Sequence, residues 1–100
     1  MALDLDPVIH APKRLEICAY LAVVEEAEFG VLRTALDVSD SVLSKHLRVL
    51  TEAGYATMSR RTSLGRARAW IALTPDGRHA YRDYVAALRR LLDGDAATAR

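Results

Sequence analysis

The sequence is short of the residues that carry most small-site chemistry. Among 100 residues there is one cysteine, one tryptophan, one phenylalanine and three prolines. The lone Cys18 excludes an internal disulfide and any cysteine-rich zinc site, and it points to a reducing compartment, most simply the cytoplasm. No apolar run approaches the ~20 residues of a membrane span. Met1 to Pro7 has neither a basic n-region nor a long apolar h-region, so no signal peptide is expected. Gly-rich phosphate loops, a nucleophile elbow and paired carboxylates are missing as well. An enzyme is therefore not expected, nor a cofactor or a metal site. His10 and His79 lie too far apart to suggest ligand spacing and read as structural or exposed residues.

Charge of one sign is missing overall, the net being +1, but it is unevenly placed. Residues 1–32 carry two basic and six acidic side chains. Residues 33–68 carry seven basic and three acidic ones, and residues 69–100 five and four. A polyanion would therefore meet a basic middle third that the overall balance hides.

What is present is helical periodicity. Hydrophobic residues make up 51% of a chain long enough for one domain, 1–100, with a small core. Asp6-Pro7 predicts a short turn, and Pro12 to about Glu26 a first helix. That helix carries Leu15, Ile17, Cys18, Leu21, Ala22 and Val24, more than one stripe, so it must be buried on two sides. Cys18 on this face reads as a small core residue. Ala27-Glu28-Phe29 is a connector with a strand-like residue pair. Gly30 to Leu36 forms a second helix, and Asp37-Val38 a tight turn with Val38 inward.

Ser39 caps a third helix by accepting an orphan backbone N–H. Leu43, Leu47 and Leu50 recur at i, i+4 and i+7 as its buried face. Ser41, Val42, Ser44, Lys45 and Arg48 stand between them, short or basic, a surface suited to a nucleic-acid groove. Gly54 ends the helix in a left-handed conformation. Tyr55–Arg61 and Ala67–Leu73 read as two strands around a polar tip, Thr62 to Arg66, flanked by Arg60, Arg61, Arg66 and Arg68. Thr74-Pro75-Asp76-Gly77 opens a fourth helix carrying Tyr81, Tyr84, Val85, Leu88, Leu91 and Leu92, closed by Gly94. Asp95 to Arg100 reads as a polar tail. The fold class is mainly α with a small β-hairpin: a helix-turn-helix over about 30–54, a wing over about 55–73 and a C-terminal helix over about 75–93.

In this order the sequence resembles a winged helix-turn-helix transcriptional regulator of the MarR/ArsR kind, of the short variety of roughly one hundred residues. Four segments carry the likeness: Leu5 to Leu15, Val38 to Leu50, Glu52-Ala53-Gly54-Tyr55, and Leu73 to Arg78. The resemblance implies a homodimer, DNA contacts near Ser41, Val42, Ser44, Lys45 and Arg48, and a wing near Arg66. ArsR-type metal sensors carry a cysteine-containing motif at the second-to-third helix region. Here that stretch is Leu32 to Asp37, without Cys or His, so metal sensing through it is not expected.

The expected DNA-binding residues are Ser39, Ser41, Val42, Ser44, Lys45, His46, Arg48, Arg60, Arg66 and Arg68. Arg48 can fork onto a guanine edge, and Lys45 suits a phosphate. His46 reads equally as a phosphate contact or a half-buried residue at the core edge. Trp70 reads as wing or core packing. The wing arginines also have a plainer reading as charges that blunt an edge strand, and strand register decides which face Arg60, Arg61 and Arg68 share.

One helix in one groove reads too few base pairs to select a genomic site, so a pseudo-palindromic double-stranded operator and a twofold homodimer are expected. Ile17, Leu21, Tyr84, Leu88, Leu91 and Leu92 are the expected interface, on helix 1 and helix 4. Those helices would also line the pocket of any small-molecule effector, whose existence the sequence leaves open. The resulting reading is a cytoplasmic DNA-binding regulator, at the nucleoid if the source is bacterial. A winged helix used for protein–protein contact is the alternative, which the basic wing argues against.

Overall fold

The computed structural model describes residues 5–94, so the expected tail from Asp95 lies outside the described residues. The elements are α1 (Pro12–Val23), β1 (Ala27–Glu28), α2 (Phe29–Leu36), α3 (Asp40–Glu52), β2 (Ala56–Ser63), β3 (Arg66–Leu73) and α4 (Pro75–Asp93). The strands form one antiparallel sheet in the order β1-β3-β2. The strand-like pair expected after helix 1 is thus a third strand, pairing Ala27 with Ile71 and Glu28 with Trp70.

α1 stops at Val23, three residues before the expected end. Glu25 and Glu26 would place two negative charges at the negative end of the helix dipole, which opposes continuation. Arg78 of α4 takes up the freed carbonyls instead, donating to Ala22 O at 3.4 Å and Val24 O at 3.2 Å.

The turn between α2 and α3 needs only three residues. Asp37 adopts a left-handed φ of 54°, which a short polar side chain tolerates. Its N–H returns to Thr34 O at 3.2 Å. Ser39 then accepts from the Val42 N–H at 3.2 Å, the expected cap.

The core gathers one face of each element. Ile9, Ile17, Leu21, Leu43, Leu47 and Leu50 are wholly inaccessible, and Cys18, Leu32 and Ile71 are equally buried. This settles the two-sided apolar face of α1. Its neighbours in the same chain, α2, α3, β3 and α4, cover Ile17, Cys18 and Leu21 and partly bury Leu15, Ala22 and Val24. Ile17, Leu21 and Tyr84 are therefore core residues, and their expected place in a dimer interface is corrected: no surface of theirs is left for a partner.

The hairpin is longer and tighter than expected. β2 and β3 pair from Ala56↔Leu73 to Ser63↔Arg66, so the connection is Leu64-Gly65 alone. Both residues have positive φ, 53° and 77°, the conformation whose twist matches the strands it joins.

Tyr55 knots three segments together. Its carbonyl accepts from the Thr74 N–H at 3.0 Å, and its hydroxyl donates to Asp6 Oδ2 in the N-terminal turn. That bond, then burial, push the Tyr55 phenol up to about 12. Thr74 caps α4 by accepting from the Gly77 N–H at 2.9 Å, and its own hydroxyl donates to Gly54 O at 2.6 Å. Gly77 packs so closely that a Cβ there would stand 2.0 Å from Tyr55 O.

Candidate nucleic-acid interface

With Leu43, Leu47 and Leu50 turned into the core, α3 must present its other residues to solvent. Ser39, Ser41, Val42, Ser44, Lys45 and Arg48 are all exposed, and they share the outward face of a helix about 20 Å long. The helix dipole and the Ser39 and Ser41 hydroxyls, 3.2 Å apart, lie at the N-terminal end of this face.

His46 is the exception. It sits on the flank towards α1, half-buried, and Arg14 Nη1 donates to its Nδ1 at 3.3 Å. Its Nδ1 lone pair is used within the fold, which favours the core-edge alternative and leaves Nε2 as the ring's remaining polar atom. Desolvation, then the charges of Arg14, Lys45 and Lys13, lower its pKa below 6.5.

Two depressions lie between α3 and the hairpin, sharing Ser44 and Met58. The larger, about 600 Å³, is bordered by Arg33, Asp40, Ser44, Arg60, Arg66 and Arg68, with Glu28 at its edge. The smaller, about 470 Å³, runs along Ser44, Leu47, Arg48 and Thr51 to Met58. Together they form a trough along the outward face of α3. The charged side chains of Lys45, Arg48, Arg60 and Arg66 have no ion-pair or hydrogen-bonding partner among the described residues, so their charges are available to a ligand.

The strand register separates the wing arginines. Directly opposed residues of an antiparallel pair share a face. Arg60 faces Ala69 on the same side as Ile71 and Leu73, the side that packs on the helices. Arg61 and Arg68 oppose each other on the other side, in line with Trp70 and Ser59, and Arg66, opposite Ser63 at the tip, lies on that side too. Arg61 donates to Glu26 Oε2 at 2.7 Å, and its guanidinium lies over the Trp70 ring at 4.5 Å. Arg68 is bound by Glu28. The sequence reading missed both pairings, and also Arg33, which bridges α2 to Asp40 of α3 at 2.9 Å.

The remaining candidates take structural roles. His10 Nδ1 meets the Tyr84 hydroxyl at 2.8 Å, and His79 pairs with Asp83 one turn on, at 3.3 Å. Burial, then the Asp6 charge, push the Cys18 thiol up to about 11, so it stays protonated at neutral pH. No group of three or more His, Cys, Asp or Glu residues is placed to hold a metal among the described residues. No helix there is long and apolar enough to cross a membrane.

Comparison with known proteins agrees with this geometry. An uncharacterized protein of Methanocaldococcus jannaschii is 31% identical over 78 residues, which cover 78% of this chain and 85% of that one. A transcriptional regulator homologue from Pyrococcus horikoshii OT3 superposes with a TM-score of 0.82 at 25% identity, covering 87% of this chain and 86% of that one. The zinc-responsive MarR family member of Lactococcus lactis shares the fold, with a TM-score of 0.66, 22% identity, and coverage of 93% and 62%. Residues 13–92 match the winged helix DNA-binding domain family, a span from α1 to the last turn of α4. The chain is therefore a member of the winged helix DNA-binding domain family.

Proposed function

We infer that the protein is a homodimeric, sequence-specific regulator of transcription. In this reading α3 enters the major groove of double-stranded DNA, and the wing lies against the minor groove or the phosphate backbone. The observation that carries it is the placement of Arg48 on one of the two adjoining depressions and of Arg60 and Arg66 on the other, their side chains without ion-pair partners, with Lys45 exposed on the same helix as Arg48. A helix of this length fits a groove about 12 Å wide, and the hairpin beside it reaches the flanking backbone.

Arg48 supplies the planar fork for a guanine edge, with Ser44 and Val42 beside it, and Lys45 supplies a point charge for phosphate. Dimerisation rests on the far half of α4. Leu88 is half-buried there, and Leu91 and Leu92 are exposed. A twofold pairing through this end would cover them and set two α3 helices against half-sites about 34 Å apart.

Selection of bound fragments from a random-sequence duplex pool tests the reading. It should enrich an inverted repeat with half-sites about 10 base pairs apart, centre to centre. Retardation of no duplex even at low salt would exclude it and favour a protein-docking role.

A further inference from the structure

Arg61 and Arg68 stand directly opposite each other on the outer side of the hairpin. Like charges in that position repel, and a wing that needed both for DNA would hold them apart only at a cost in stability. Instead each is met by an acid from the segment that enters the sheet. Glu26 takes Arg61 and Glu28 takes Arg68. Trp70, paired with Glu28 across the sheet, lies beneath the Arg61 guanidinium. The carboxylate of Glu28 is only 20% exposed, so its attraction for Arg68 is less screened than that of a surface pair. Arg66, on the same side nearer the tip, and Arg60, on the opposite side, meet no acid.

We propose that Glu26 and Glu28 are positioning residues of the wing. They neutralise Arg61 and Arg68 and fasten the hairpin to β1, and phosphate contact by the wing falls to Arg60 and Arg66 alone. The basic wing is thus divided between two arginines that hold it and two that bind. Glu28 also restrains affinity: it keeps in the protein a cation that borders the DNA-facing trough.

The DNA half of this proposal rests on the functional reading above; the fastening half does not. Binding of a random-sequence 20-base-pair duplex is measured against salt concentration. Each phosphate contact contributes about 0.9 to the slope of log K against log salt. Arg60→Gln and Arg66→Gln should each flatten the slope by about that amount. The double variant Glu28→Gln with Arg68→Gln, which keeps net charge, should change the slope by much less than Arg66→Gln does. Glu28→Gln alone should steepen it and tighten binding. A double variant that flattens the slope as Arg66→Gln does would make Arg68 a phosphate contact and overturn the division. Failure of the unaltered protein to bind duplex would overturn the functional reading instead. Backbone 15N relaxation of the free protein tests the fastening without DNA. Order parameters at Leu64 and Gly65 should fall in the Glu28/Arg68 double variant and in Glu26→Gln. Unchanged values in both would show that these acids fasten nothing.

Discussion

Arg14 donates to Nδ1 of His46 across 3.3 Å, joining α1 to the flank of α3. Arginine has only donors, so Nδ1 must be the acceptor and the neutral ring carries its proton on Nε2. Protonating Nδ1 would break the bond and set a second cation against Arg14, with Lys13 and Lys45 also facing the ring.

The sign of the pH effect follows. The folded-state pKa of His46 lies below 6.5, so the unfolded chain takes up the proton first. The contribution of His46 to stability is complete above about pH 6.5 and is lost as pH falls through the folded value. His46→Gln keeps an acceptor for Arg14 and removes the titration. Between pH 7 and 5 the unaltered protein should lose urea stability relative to this variant; parallel curves would contradict the assignment.

Gly77 is fixed by contact rather than by conformation. An added methyl would meet Tyr55 O at 2.0 Å, and backbone cannot step aside as a side chain can. Gly77→Ala should cost about 1–3 kcal/mol or more, lowering Tm by roughly 5–20 °C in a domain of this size. A calorimetric scan checks it.

Leu64 carries the opposite expectation. It is 98% exposed and held at φ 53°, where a leucine is strained and an asparagine is at ease. Leu64→Asn should stabilise the protein by about 1 kcal/mol, because no packing is lost and the turn is relaxed. Leu64→Ala, which keeps the strain, should give no comparable rise in Tm.

Arg48 and Lys45 should fail differently when removed. Arg48→Ala should cost about 1–3 kcal/mol of discrimination at one base position and leave binding to random duplex nearly intact. Lys45→Ala should weaken binding to all sequences alike and reduce the salt slope by about 1. Titrations against the selected site and a scrambled one separate the two.

Leu91 and Leu92 are exposed at the end of α4, so changing them leaves the core untouched. The variant with Leu91→Glu and Leu92→Glu should sediment as the 11.0 kDa monomer with an unchanged circular dichroism spectrum. A dimer that survives the change would place the interface elsewhere.

The fold was legible where local rules and burial agree. The Ser39 and Thr74 caps, the Leu43–Leu47–Leu50 face and the stop at Gly54 each follow from short-range chemistry, and each stands where the residues predicted it. Long-range events were not legible. Nothing near Ile17 or Leu21 shows that α4 and β3 come back to cover them, so surplus apolar surface was read as an interface. The early end of α1 depends on Arg78, more than fifty residues away. Among the site residues, exposure on α3 follows from periodicity, but the partners of Arg61 and Arg68 follow from strand register. Only the three-stranded pairing reveals that register.

The knot at Tyr55 leaves no slack between the end of α3 and the start of α4. Thr74 holds Gly54 O and Tyr55 O at once, and Gly77 is pressed against the same peptide. The helix that faces solvent with its basic side and the helix that ends in exposed leucines are consequently tied to each other at one point. A displacement at the start of α4 therefore meets the end of α3 directly, through Thr74 and Gly77, and not through a loop.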